Sequence, residues 1–273
     1  GVWPHTLHNK EAAHVISHQI IREIARSGRY RIKFLCINHH KVELPEGANP
    51  DIDELKSLGV HFLEQVILDE SGFMRSKLFK RISALVEPRG LLSGWGHNTI
   101  IENTINKNFP DLVLTILTEI GSVAVSSLSC RKFTYYGNPD YKVLRAGHLI
   151  RKLTKQISLK ERITHKLIYP LVKKAHLKVM SEYEWVFEVA KNDAENYKRH
   201  GINCSYTQLT WEGRITENWK EVRERKEITE PIKIVGSVGS LGATGNSLAF
   251  ITLATEILPV LEKRLGKGQF EIH

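Results

Sequence analysis

The stretch from Pro231 to His273 constrains the fold of this chain more than any other. Ile232–Val235 is a short β-branched run, the pattern of a buried strand. A loop containing Gly236, Gly239, Gly242 and Gly245 follows it. From Ser247 to Leu265 the apolar residues Leu248, Ile251, Leu253, Ala254, Ile257, Leu258 and Leu261 recur at helical spacing. Gly266 and Gly268 stop that helix, and Phe270–Ile272 opens another strand. Strand, glycine loop, helix and strand make a βαβ unit of the kind that builds nucleotide-binding layers. Glycines in such a loop let backbone N–H groups approach a phosphate, and the helix N-terminus adds a favourable dipole. The spacing is not the dinucleotide GxGxxG, and no P-loop Lys-Ser/Thr follows. A plain turn between strand and helix is therefore the alternative. One βαβ unit cannot bury both faces of a parallel sheet, so the sequence is expected to end inside a domain.

Length and composition set the frame around that unit. At 273 residues there is room for one large or two medium domains. A hydrophobic content of 41% and a charged content of 25% are those of a soluble globular chain. Cys36, Cys130 and Cys204 are odd in number and far apart, which argues against a disulfide framework and for a reducing compartment. No CxxC or Cys/His cluster suggests zinc, and no run of roughly 18 apolar residues suggests a transmembrane helix. Gly1-Val-Trp-Pro-His reads as the loop after a first strand, without a signal peptide, so material is expected to be missing at both ends.

The charge is concentrated. Lys142 to Lys178 holds eleven Lys/Arg and one acid, Glu161, a local +10 against +9 for the whole chain. The remainder is close to neutral, so the basic character is a local footprint rather than a general polyanion coat. Arg145, Lys152 and Lys155 fall near one helical face, and Leu144, Ile150, Leu153 and Ile157 on another. A basic amphipathic stretch reads as a membrane-surface helix or as a docking face for an acidic partner, with a plain solvated face as the bland alternative. Nucleic acid is not favoured, because no zinc pattern or RNP-like aromatic motif accompanies the charge.

Taken in order, Glu11–Arg26 is an amphipathic helix stopped by Gly28, and Tyr30–Ile37 is a strand. His39 to Pro50 is a polar loop, Ile52–Leu58 a short helix, Val60–Leu68 a strand and Met74–Val86 a helix. Leu91–Asn98 is a glycine-punctuated turn carrying His97, and Thr99–Asn108 is helical. Leu112–Leu117 is continuous and apolar, as expected for a central parallel strand. Ser122–Leu128 is small and apolar enough for a close-packed helix, and Lys132–Tyr136 is a strand. Leu177–Met180 reads as a short strand, Tyr183–Arg199 as a helix stopped by Gly201, and Asn203–Leu209 as a strand. The polar stretch Thr210–Glu230 reads as a linker.

Open α/β sheets bind ligands at the C-terminal ends of their strands. Thr118–Ser122 and Gly137–Asp140 occupy two such ends, so Glu119 and Asp140 frame a polar crevice, with Asn138 between strand and turn. The alternative is turn chemistry, with Asp140 capping the next helix. His8, Asn9 and Lys10 precede the first helix, where Asn9 and Lys10 could hold a phosphate; a plain N-cap by Asn9 is the alternative.

The strand ending in Val235-Gly236-Ser237, the glycine loop with Asn246, the helix carrying Glu256-Ile257-Leu258-Pro259 and Leu265, and the strand after it resemble the start of the C-terminal domain of a GT-B glycosyltransferase. The group-1, retaining, nucleotide-sugar-dependent type is the most similar in pattern. The resemblance implies an α/β chain of two Rossmann-like domains: a nearly complete acceptor domain over 1–210, a linker over 211–230, and a donor domain over 231–273 truncated after its first βαβ unit. It implies Asp140, Asn138 and Glu119 as catalytic or sugar-lining residues. Gly236, Ser237, Gly239 and Asn246 fall against the donor diphosphate, and His8, Asn9 and Lys10 in the acceptor or phosphate loop facing the inter-domain cleft. Relatives carry paired glycines in that last loop and an Arg and a Lys at the donor loop. Here the latter places are near Ser237–Val238 and Asn246, neither basic.

The activity so implied moves a sugar from a nucleotide-diphosphate donor to a hydroxyl of a glycan or lipid-linked acceptor. The nucleotide sugar is a co-substrate, and no cofactor or obligate metal is implied. A cytoplasmic protein, peripheral on the inner face of an anionic membrane, is the expected setting. Two other classes compete: a non-catalytic α/β module that binds membrane or polyanion through 142–178, and an epimerase or dehydrogenase, which would need a dinucleotide fingerprint.

Overall fold

The computed structural model describes residues 12–38, 49–63, 65–67, 88–92, 98–137, 139–207, 232–234 and 244–272. The 5–10 loop, the expected helix Met74–Val86, His97, the 210–230 linker and the glycine loop proper lie outside them. The chain divides into two units: Gly1–Tyr141 with Pro170–Trp211, and Lys142–Tyr169 with Glu212–His273.

In the first unit α1 (Ala12–Arg26) buries Ile16, Ile21 and Ala25 and ends at Gly28, whose φ of 66° suits a residue without Cβ. β1 (Lys33–Phe34) and β2 (Ile37–Asn38) follow, then α2 (Pro50–Ser57). The start of α2 is specified locally. Asn49 accepts from the Ile52 N–H at 3.3 Å, Pro50 opens the first turn, and Asp51 and Asp53 face the positive end of the dipole. Ile21, Ala25, Leu55 and Val60 form a core between α1, α2 and the strands, with Phe34 and Phe62 tilted together at 5.5 Å. Arg26 and His18 of α1 both reach Glu54 of α2, at 3.0 and 3.4 Å.

β3 (His61–Phe62) pairs in parallel with β1, and β4 (Val66–Ile67) with β2. The expected single strands Tyr30–Ile37 and Val60–Leu68 are thus each broken in two. Phe34 faces Phe62 whereas Ile37 faces Val66, so the second strand holds one more residue between the paired segments than the first. An extra residue on one side interrupts the ladder as a bulge does.

α3 (Asn98–Asn106) leads to β5 (Leu112–Ile116), α4 (Glu119–Val125) and β6 (Arg131–Tyr136). α5 (Asp140–Leu153) and α6 (Leu159–Ser181) come next, followed by β7 (Trp185–Glu188), α7 (Lys191–Arg199) and β8 (Cys204–Tyr206). The four strands form a parallel sheet in the order β5-β6-β7-β8. The fold is therefore α/β with parallel sheets, as the sequence indicates. Among the described residues β5 pairs with β6 and with no other strand, and within it only Thr115 is buried. The helix expected over Ser122–Leu128 starts three residues earlier, because Thr118 caps it.

Two further expectations are corrected. Leu177–Met180 is helical: Val172, Ala175, His176, Val179 and Met180 are buried at the 3.6-residue period, which outweighs the β-branched content. Tyr183–Arg199 is not one helix. It opens as β7, where Val186 and Glu188 alternate inward, and turns helical only at Lys191. Gly201, at φ 74°, closes α7 as expected.

In the second unit, Lys142–Leu153 and Leu159–Tyr169 belong to α5 and α6 and form a hairpin. Lys155 (φ 57°) ends the first helix, so neither it nor Ile157 continues the α5 face. Ser158 and Glu161 start the second with a reciprocal capping box: Glu161 accepts from the Ser158 N–H at 2.9 Å, and Ser158 Oγ accepts from the Glu161 N–H at 3.2 Å. Arg151 meets Glu161 at 3.9 Å, and His148 stacks on His165 with centroids 3.8 Å apart.

β9 (Ile232–Ile234) and β10 (Phe270–Ile272) pair in parallel, Ile232 with Phe270 through Ile234 with Ile272, around α8 (Thr244–Leu265). This is the βαβ unit read from the sequence. Within α8, Leu253–Ile257 forms a π-helical turn. Pro259 follows it and supplies no N–H for the Thr255 carbonyl, a recognised cause of such turns. The expectation of no membrane-length helix needs correcting, because an 18-residue stretch of α8 has a mean hydropathy of 1.3, long and apolar enough by length and composition to cross one. Its Ser, Thr and Gly residues interrupt an apolar run without lowering the mean much. The parallel pairing of β9 with β10 folds α8 back along the strands as a crossover helix, which is not a spanning arrangement.

Candidate functional site

The C-terminal ends of β5, β6 and β7 are where an open parallel sheet presents loops and helix N-termini to a ligand. After β5, Leu117 takes φ 45° and donates its N–H to the Tyr135 carbonyl at 2.8 Å. A left-handed conformation in a residue with a Cβ costs on the order of 1 kcal/mol or more, and such residues concentrate at sites where geometry matters. Thr118 then caps α4 by accepting from the Gly121 N–H at 3.0 Å. A Cβ at residue 121 would lie 2.7 Å from Thr118 Cγ2, so only glycine lets this cap close. The result places Glu119, exposed, in the first turn of α4.

Between β5, β6 and α4, Thr115, Ser122 and Thr134 form a buried ring of hydroxyls at 2.8 to 3.2 Å, and Tyr183 donates to the Ser122 carbonyl at 2.6 Å. Burial raises the Tyr183 pKa above the usual phenol value. Lys132 is also buried, its Nζ donating to the Ser126 and Leu128 carbonyls at the end of α4. Burial pushes its pKa down, partly opposed by Glu182. These groups hold α4 to the sheet and do not face a ligand.

After β6, Gly137 packs against Leu117, with a Cβ there 3.3 Å from Leu117 Cδ2. Asn138 lies outside the described residues; Asp140 is the first residue of α5. Because β5 and β6 are hydrogen-bonded neighbours, Glu119 and Asp140 sit on helices that start from adjacent strand ends. Among the donor residues, Gly236, Ser237 and Gly239 lie outside the described residues, as do His8, Asn9 and Lys10. Asn246 lies in the first turn of α8 and is half-buried.

The site also contains a residue that sequence reasoning missed. Glu188 ends β7, in register with Tyr136 of β6 and Tyr206 of β8, and is fully buried. Its Oε1 accepts from the Val189 N–H at 2.9 Å. After desolvation, its charge is the next cause that raises both the Tyr135 phenol and the Cys204 thiol to about 12. Burying a carboxylate is costly, and one that perturbs its neighbours at a strand end is a candidate for a functional role. The alternation Trp185–Glu188 was its signal, hidden by assigning that stretch to a helix. Beside it His176 meets Tyr197 OH at 2.6 Å and contacts the rings of Tyr136 and Tyr141 at 5.2 and 5.4 Å. Asn196 donates to Tyr141 OH at 2.8 Å.

Among the described residues no group of three or more His, Cys, Asp or Glu could hold a metal ion. The three cysteines are free thiols.

No protein-family model matches the chain, and no curated protein matches it. Solved structures similar to it include Phytolacca americana apo UGT2, at 12% identity and a TM-score of 0.37, and the same UGT2 complexed with UDP-2fluoro-glucose and pterostilbene, at 12% and 0.36. The likeness covers 81% and 84% of this chain, which spans only 55% and 58% of those structures. At that similarity neither fold family nor activity transfers.

Proposed function

We propose that this chain is a glycosyltransferase of the GT-B type, moving a sugar from a nucleotide-diphosphate donor to a hydroxyl of a glycan or lipid-linked acceptor. The observation that supports it best is the parallel βαβ crossover of β9, α8 and β10, whose helix follows a connection with three glycines and carries a fourth, Gly245, in its first turn. The four-stranded parallel sheet adds carboxylates at adjacent strand ends. In this reading the glycine loop, with Asn246, receives the donor diphosphate through backbone amides and the helix dipole. Asp140 and Glu119 line the acceptor side, and Glu188 ends the neighbouring strand β7. The bond from the anomeric carbon to the diphosphate oxygen breaks as the acceptor oxygen bonds that carbon. The acceptor proton leaves to a carboxylate or to the departing diphosphate, and no metal is needed for that balance. Retention of configuration and membership of the group-1 type rest on the resemblance in pattern alone.

A thermal-shift panel of nucleotide sugars tests this. A donor at 100 times its dissociation constant should stabilise the protein by about 2.7 kcal/mol. Selective stabilisation by one nucleoside diphosphate sugar, with turnover lost in Asp140→Asn while that shift remains, is the expected result. Silence across the panel in folded protein would sink the reading.

A further inference from the structure

We propose that the α5–α6 hairpin docks on an anionic lipid bilayer, with the first half of α6 lying in the interface. This goes beyond the glycosyl-transfer reading and does not depend on it. The buried residues of α6, namely Val172, Ala175, His176, Val179 and Met180, all follow Pro170. From Lys142 to Tyr169 no residue is buried. Yet this half of the helix is apolar along one line. Leu159, Ile163 and Leu167 are exposed by 72%, 52% and 64%, at successive i,i+4 spacing. They fall within an arc of about 80° on the helix surface. Lys160 borders that stripe on one side, Arg162 and Lys166 on the other, and all three are exposed.

Three aliphatic side chains in a row, left in water and rimmed by cations, match the acyl boundary and phosphate layer of a bilayer. The charge is complementary: Lys142–Tyr169 holds eight Lys/Arg and Glu161 as its one acid, a local +7. That acid is turned to the capping box and Arg151 rather than to the stripe. Three aliphatic residues alone bind weakly, and so does a basic patch alone, so attachment needs both and should be reversible and confined to anionic surfaces. A nucleic acid would engage the cations but leave the aliphatic stripe in water.

Flotation of the full chain with phosphatidylcholine vesicles, with and without phosphatidylglycerol, tests this. Binding is expected only with the anionic lipid, and it should weaken as salt rises. The Leu159→Ser/Ile163→Ser/Leu167→Ser variant should keep the wild-type melting temperature, since those side chains are exposed, and lose binding at least ~tenfold. Lys160→Gln and Lys166→Gln should each weaken it about fivefold. Equal binding to both vesicle types would overturn the role of the cations and the choice of an anionic surface, and serine-variant binding equal to wild type would overturn insertion and leave a purely electrostatic face. So would RNA or polyglutamate binding that falls in parallel with the serine substitutions. If the triple variant melts early, Ile163→Ser alone carries the same comparison.

Discussion

Gly121→Ala should destabilise the protein although alanine is the best helix former. At an unconstrained helical position the change would gain up to ~1 kcal/mol. Here the new Cβ would lie 2.7 Å from Thr118 Cγ2 and 2.9 Å from Thr118 Oγ1, and that same Oγ1 accepts from the Gly121 N–H at 3.0 Å. Thr118 must leave its capping rotamer, which forfeits about 1 kcal/mol of N-cap. Residues 121 to 125 are all buried, so displaced atoms have little room, and overpacking adds roughly 1–3 kcal/mol. The net expectation is a loss of about 1–3 kcal/mol, or a fall of roughly 2–12 °C in Tm. Thr118→Ala removes both clashing atoms. In that background Gly121→Ala should become neutral or stabilising, a coupling of about 2 kcal/mol in a double-mutant cycle. Urea unfolding of the four proteins measures it. If Gly121→Ala is as stable as wild type with Thr118 in place, the account of how α4 starts, and so of how Glu119 is positioned, is wrong.

Three further outcomes follow from the same structure. Lys132→Met leaves the Ser126 and Leu128 carbonyls buried without their donor and should cost ~1–3 kcal/mol by urea titration; a change under about 0.5 kcal/mol would mean those carbonyls are hydrated. The Cys204 thiol and Tyr135 phenol are raised from 9.0 and 10.0 to about 12, so both favour the folded state below those starting values. That contribution should be lost as pH climbs from 9.0 towards 12, and native Cys204 should resist thiol reagents at neutral pH; rapid labelling without unfolding would contradict it. His148 and His165 are lowered from 6.5, first by desolvation and then by cations including Arg151. The stacked pair should support the hairpin above pH 6.5 and lose that support as pH falls through it, read as faster amide exchange in α5 and α6; exchange rates that follow only the intrinsic pH dependence would refute it.

Local pattern determined much of this protein. The apolar period marked α1 and α8, and Gly28, Gly201, Gly266 and Gly268 marked ends that do take positive φ. Strand, helix and strand from Ile232 to Ile272 follow from residues within one another's reach along the chain. The strand ends carrying Glu119 and Asp140 were legible for the same reason. Tertiary structure decided the rest. Whether Leu177–Met180 is strand or helix depends on which side chains meet a core, and only packing sets that. The bulge dividing β1 from β2 exists because of residues in the partner strand about thirty positions away. Glu188 became visible as a site residue only once β7 lay between Tyr136 and Tyr206, since burial of a carboxylate is a property of its neighbours. The exposure of Leu159, Ile163 and Leu167 is likewise no property of their sequence: at the same i,i+4 spacing, Ala175 and Val179 of the same helix are covered and these three are not.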